Sequence, residues 1–115
     1  MASEGVQGLY VETRDYAATA AFWASLGFEA VVETDHASGQ WVHPAGGPYV
    51  FIAERADGDL QTQVIVGLAD AATFAPDPAP TFVRPFEPQH WGVTEALVQD
   101  PDGRTVSLQA PLGDG

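Results

Sequence analysis

The sequence predicts an α+β chain made of two consecutive βαβββ modules, with the helix of the second module cut short. Three observations predict it. Short segments of strand-like alternation recur along the whole chain, and one segment alone carries a good helical pattern. The order strand, Asp, helix-forming stretch, further strands also starts twice, as an internal repeat does. The modules cover about residues 6–54 and 61–110 of a single domain spanning residues 1–115.

In the first module, residues 6–13 read as a strand, with Leu9 and Val11 alternating against Gly8, Tyr10 and Glu12. Asp15 offers a side-chain oxygen to cap the Ala-rich helix expected over residues 17–26. Ala18, Phe22 and Leu26 share one face of that helix, and Gly27 supplies its stop. Strands are expected over residues 28–34, 40–43 and 49–53, separated by turns at 35–39 and 44–48. A polar linker follows at residues 55–60.

The second module restarts with a strand over residues 61–68, in which Val64, Val66 and Leu68 share a face. Asp70 takes the place of Asp15, but Pro76, Pro78 and Pro80 leave room for about one helical turn at residues 71–74. Residues 81–84, 91–98 and 104–109 read as strands, the last two joined by the turn signal Asp100-Pro101-Asp102-Gly103. Tight turns between consecutive strands suit antiparallel pairing and argue against a purely parallel fold.

Composition narrows the function. Hydrophobic residues make up 45% and charged residues 17%, as in globular proteins. The chain has no Cys, so disulfides and thiolate metal ligation are excluded. No apolar run is long enough for a membrane span and no basic leader precedes the first strand, so a cytoplasmic protein without a membrane partner is expected. Sixteen acidic against four basic residues give a formal net charge of -12. That charge repels phosphate backbones, which argues against nucleic acid, and attracts cations. Solubility alone is the competing reason for it.

Leu9-Tyr10-Val11-Glu12-Thr13-Arg14-Asp15, Ala20-Ala21-Phe22-Trp23 and Leu26-Gly27-Phe28 resemble the opening module of the vicinal oxygen chelate superfamily, which includes glyoxalase, extradiol dioxygenases and bleomycin-resistance proteins. Trp23 stands where a Tyr is usual. Gln89-His90-Trp91-Gly92-Val93-Thr94-Glu95 and Asp100-Pro101-Asp102-Gly103-Arg104 are similar to its second-module motifs, with His90 in place of Pro. The resemblance runs over nearly the whole chain, and the shortened second helix departs from it.

The resemblance implies a divalent metal held by His and Glu at four positions. Those positions carry Gly8, Phe51, Gln63 and Ser107, and His36, His43 and His90 have no metal-binding spacing among them. No metal and no cofactor are therefore expected. The metal-free, antibiotic-binding members become the nearest likeness, with a homodimer whose pockets lie where modules of both chains meet. Sheet edges left open by so short a chain favour association as well.

Alternation puts Leu9, Val11, Val50, Ile52, Val64, Val66, Ala96, Val98, Val106 and Leu108 on the helix side. Their neighbours Tyr10, Glu12, Trp41, His43, Tyr49, Phe51, Gln63, Glu95, Ser107 and Gln109, with His90 and Trp91, are then the candidate ligand-binding residues, Ile65 and Leu97 lying on the same side. Core filling competes as the role of Tyr10, Tyr49 and Phe51, a structural role at the strand start for Trp91, and solvent exposure for Glu12 and Glu95. The expected function is sequestration of a small aromatic molecule, cationic or neutral and antibiotic-like, without catalytic residues. Two alternatives stay open. One is a biosynthetic or glyoxalase/dioxygenase-like enzyme using Glu95 or His43 as acid–base group, and the other is a non-catalytic regulatory module with a filled pocket.

Overall fold

A computed structural model describes residues 3–112. The elements run β1 (Val6–Thr13), α1 (Tyr16–Ser25), β2 (Glu29–Glu33), β3 (Ser38–Val42), β4 (Tyr49–Glu54), β5 (Thr62–Gly67), β6 (Thr81–Pro88), β7 (Val93–Gln99) and β8 (Thr105–Pro111). The chain divides into two compact units, residues 8–62 and residues 63–112 with 3–7. Each has strand, connection, three strands, with a helix in the first alone among the described residues.

Within the first unit the strands lie in the order β2-β3-β4-β1, and within the second in the corresponding order β6-β7-β8-β5. Hairpins pair antiparallel, while β1 and β4, and likewise β5 and β8, pair in parallel. The repeat extends to the register. Leu9 faces Val50 as Val64 faces Val106, and Tyr10 faces Phe51 as Ile65 faces Ser107. Gly47 and Gly103, in the turns before β4 and β8, both take positive φ, a conformation that favours glycine.

Asp15 caps α1 as expected, its Oδ1 accepting from the Ala18 N–H at 3.1 Å, and Gly27 (φ 95) closes the helix. Ala18, Phe22 and Leu26 share one face of α1, as expected, and that face is the outer one. Tyr16, Thr19, Ala20 and Trp23 turn toward the sheet. The helix is apolar on both sides, so the spacing of Phe22 and Leu26 could not tell inside from outside.

The second unit packs Leu68, Ala96, Val98, Leu108 and Ala110 into one core, flanked by Val66, Ala71, Phe74, Phe86 and Val106. These include five of the six second-module residues that alternation put on the helix side, Val66, Ala96, Val98, Val106 and Leu108. In place of a helix, Asp70 tips a single turn by accepting the Ala72 N–H at 3.0 Å. The following Pro-rich loop covers the core incompletely and leaves a groove of about 280 Å³ between Phe74, Pro76, Pro80 and the sheet residues Val66, Val98 and Leu108.

Two strand limits also differ. β6 runs on to Pro88 through Pro85, because an edge strand tolerates missing donors, and it carries bulges there. β7 begins at Val93, since Gln89 to Gly92 form a turn closed by the Gln89 N–H to Val93 carbonyl bond (2.8 Å).

Candidate functional site

In the first unit, Trp41 fixes which face is which. Its Nε1 donates to the Tyr16 hydroxyl at 3.1 Å, and it lies opposite Val50, so both belong to the α1 side. Tyr49 and Phe51 therefore point to the other face, together with Tyr10, which is in register with Phe51. Tyr10 and Phe51 stack with centroids 6.4 Å apart and planes 18° from parallel. Tyr49 lies over Gly8, so closely that a Cβ there would sit 2.6 Å from its ring.

Glu12 ends this aromatic face and is 7% exposed. Its carboxylate accepts from the Tyr10 hydroxyl (2.9 Å), from Arg55 Nη1 (3.0 Å) and from the Gln61 N–H (3.0 Å). Arg14 adds bonds to the carbonyls of Arg55 and Gly58. Glu12 and Arg14 thus tie the segment after β4 to the end of β1. Burial first, then the hydrogen bond to Glu12, pushes the Tyr10 phenol up to about 12.

A titration prediction follows from that shift. The unfolded phenol ionises near 10, so above that pH the unfolded chain binds fewer protons than the folded one. Tyr10 should therefore contribute stability below pH 10 that is lost as pH rises toward 12. Burial also raises the Tyr16 phenol, so absorbance titration at high pH should show more than one Tyr ionising late, and Tyr10→Phe should remove the step near pH 12. An unchanged titration would argue against the Tyr10–Glu12 bond.

In the second unit, Glu95 (8% exposed) and Ser107 (1% exposed) lie on the sheet face opposite the core. The Ser107 hydroxyl donates to Glu95 Oε2 at 2.6 Å, and Gln109 Nε2 donates to the same oxygen at 3.2 Å. Arg84 Nη2 reaches Glu95 Oε1 at 2.5 Å. Arg84 Nε lies 3.5 Å from Glu87 without making a hydrogen bond. By alternation along β5, Gln63 takes the same face as Ile65, which is opposite Ser107.

Two placements correct the sequence reading. Trp41 faces α1, not the opposite side. His43 packs edge-on against Phe28 at 5.3 Å and lies against Gly27, so it too belongs to the helix side. The strand alternation was sound within β3, but its phase relative to β4 could be set only by the Trp41–Val50 register. His90 and Trp91 lie in the exposed turn before β7, their rings edge-to-face at 5.0 Å.

Arg55 and Arg84 are the residues that sequence reasoning missed. The available signal was charge balance, because a carboxylate buried on a sheet face needs a partner and the chain offers few cations. It has four, all Arg and no Lys. Each is engaged by a carboxylate or backbone carbonyl: Arg14 by two carbonyls, Arg55 by Glu12, Arg84 by Glu95 and Arg104 by Asp100 and Asp102. Glu12 and Glu95 are correspondingly neutralised within the protein, contrary to a reading of them as open cation sites.

The four positions implied for a metal do not fit one. Gly8 has no donor and the Tyr49 ring lies over it, Phe51 stacks on Tyr10, Gln63 is a weak ligand, and the Ser107 hydroxyl is bonded to Glu95. Among the described residues no three His, Asp or Glu side chains come together as a metal set.

The chain has the fold of a glyoxalase/bleomycin resistance protein/dioxygenase superfamily member. Known structures place it there. A superfamily member of that name from Vibrio splendidus 12B01 matches with TM-score 0.68 at 15% identity, over 91% of this chain and 98% of that one. Methylmalonyl-CoA epimerase from Mycobacterium tuberculosis matches with TM-score 0.69 at 12% identity, over 96% and 90%. A structure described as NAD-dependent benzaldehyde dehydrogenase from Legionella pneumophila matches with TM-score 0.69 at 10% identity, over 90% and 97%. No known family pattern and no curated protein matches the sequence. Identities this low establish the fold and leave function to the residues.

Proposed function

We propose that the protein binds and sequesters a small aromatic, antibiotic-like molecule, cationic or neutral, without a metal. The observation that carries this reading is the aromatic face of the first unit. Phe51 stacks on Tyr10 and Tyr49 lies over Gly8, so rings occupy the two first-unit positions, Phe51 and Gly8, at which the resemblance implies metal ligands. Flat rings with one phenol donor suit a planar ligand. In this reading Gln63, Glu95, Ser107 and Gln109 give polar contacts, and His90 and Trp91 border the site. The protein acts as a cytoplasmic homodimer with pockets between modules of both chains.

Charge narrows the ligand. With every Arg engaged and no Lys, a phosphate- or carboxylate-rich molecule meets no free cation among the described residues. With Glu12 and Glu95 already paired, a cationic ligand is favoured by the net charge of -12 as a whole, so its affinity should fall as salt rises. The enzyme reading gains less support. Three side chains donate to the Glu95 carboxylate, and His43 is packed against Phe28.

Calorimetry and thermal shift with a panel of planar and cationic peptide antibiotics test the proposal. Trp91, which borders the site in this reading, should also be quenched by a planar ligand, whereas Trp41 on the α1 side should not. A stabilising binder is expected, and Phe51→Ala should weaken it by about tenfold, the scale of one lost stacking contact with its area. No binder in the panel, or equal binding by Phe51→Ala, would count against the site. Stoichiometric retention of added Ni, Zn, Mn or Fe would overturn the metal-free reading.

A further inference from the structure

Beyond the Glu95 network, the second unit has a small cleft of about 190 Å³, lined by Glu4, Gln7, Leu68, Val93, Gln109 and Pro111. Two of its polar residues come from the N-terminal segment. The Glu4 N–H donates to the Gly67 carbonyl at 2.8 Å, and the Gly67 N–H donates to the Gly5 carbonyl at 3.0 Å. These bonds fasten the segment along the end of β5. The Gln7 carboxamide then lies over Gly67, in space that a side chain at that position would fill. Gly67 is in register with Gln109 on β8, so the two glutamines are neighbours across it.

The Gln109 carboxamide has one possible orientation. Ser107 gives its hydroxyl proton to Glu95 Oε2 at 2.6 Å, which leaves the Ser107 oxygen as an acceptor. The Glu95 carboxylate is an acceptor as well. Both meet Gln109 Nε2, at 3.1 and 3.2 Å, and only the NH₂ end of an amide can satisfy them. Its two hydrogens are thereby used, and Oε1 is turned away from Ser107 and Glu95. No described residue donates to that oxygen. A buried carboxylate thus sets an acceptor at the cleft.

We propose that this cleft binds the ammonium group of a primary alkylamine, with Gln109 Oε1 and the Glu4 carboxylate as acceptors and Gln7 beside them. An ammonium group has three donors and no acceptor. It therefore matches a lining whose fixed polar atom is an acceptor and whose one charged group is a carboxylate. A carboxylate or phosphate would find only the Gln7 amide to donate among the lining side chains, because every Arg is engaged elsewhere and the chain has no Lys. The net charge of -12 opposes an anion too. Leu68, Val93 and Pro111 give the carbon chain of the amine an apolar wall. The cleft is smaller than the roughly 300 Å³ at which pockets for whole drug-sized ligands begin, so it takes an alkylammonium end and not a ring system. Such a group would be the charged end of the ligand in the proposed function, and to that extent the assignment rests on that reading.

Proton–nitrogen correlation NMR with butylammonium chloride decides it, with butanol and sodium butyrate as matched controls. Butylammonium should shift the side-chain amide signals of Gln7 and Gln109, saturating near about 1 mM, the scale of weak complexes, and less readily as salt rises. Gln109→Met keeps the length but lacks the acceptor. Read from the Gln7 signal, it should weaken binding about tenfold or more, the scale of one hydrogen bond to a charged group. Glu4→Gln should weaken it about threefold, as loss of an exposed charge does. If Gln109→Met loses the dispersed spectrum of the folded protein, Gln7→Met with Glu4→Gln replaces it, again with a loss of about tenfold. Equal shifts with butanol would overturn the ammonium assignment, and saturable binding of butyrate would overturn the acceptor geometry. No shift at any butylammonium concentration that leaves the protein folded overturns the cleft alone, since the antibiotic panel and Phe51→Ala decide the aromatic face. An amine that binds as expected, in a protein for which the panel yields no binder, supports the cleft and counts against the aromatic face.

Discussion

Replacing Glu95 with Ala is expected to destabilise the protein by about 3 kcal/mol, the lower end for breaking a buried ion pair. Glu95 holds together Arg84, Ser107 and Gln109 on one sheet face. Removing it leaves a guanidinium, a hydroxyl that is 1% exposed and an amide without their acceptor. The Arg84 side chain is 32% exposed, so water recovers part of the loss and keeps the effect from the upper end of the range. Glu95→Gln should cost roughly half as much, since the amide keeps an acceptor oxygen but not the charge. Urea unfolding followed by circular dichroism measures both. A loss for Glu95→Ala below about 0.5 kcal/mol, the level of ordinary surface substitutions, would mean that the network contributes little.

Ile52→Ala should cost about 4 kcal/mol, in the upper half of the range for truncating a buried aliphatic side chain. Ile52 is 0% exposed in β4, opposite Val11 on one side and Gly39 on the other. Gly39 has no side chain to move into the space, and its own surroundings are full, because a Cβ there would lie 2.8 Å from the Val32 carbonyl oxygen. The hole should therefore persist. Ile52→Val should cost about 1 kcal/mol. A midpoint for Ile52→Ala within a few degrees of the unmodified protein would show that the first unit repacks, since 1 kcal/mol corresponds to roughly 4–8 °C in a domain of about this size.

Much of the fold was legible because it follows from local chemistry. Asp15 and Gly27 bracket α1, the Asp100–Gly103 turn joins β7 to β8, and prolines stop the second helix. The candidate site was less legible. Trp41 and His43 were expected beside Tyr10, yet they lie across the sheet, because a strand pattern gives two faces without saying which face a neighbouring strand shares. The side on which Phe22 and Leu26 fall was not legible for a corresponding reason: a helix that is apolar on both sides carries no mark of its inside.

The repeated module, the capped helix, the strong negative charge and the absence of ligand atoms at Gly8 and Phe51 could all be read from the chain before it folded. These depend on residue type and spacing along one stretch of chain. Folding settled that Tyr49 lies over Gly8, that Glu12 takes Arg55 and Glu95 takes Arg84, and that Phe22 faces outward. The physical reason is that each of these outcomes joins residues far apart in sequence, through strand register and the desolvation of charge, and no local pattern encodes which partner a buried carboxylate will find.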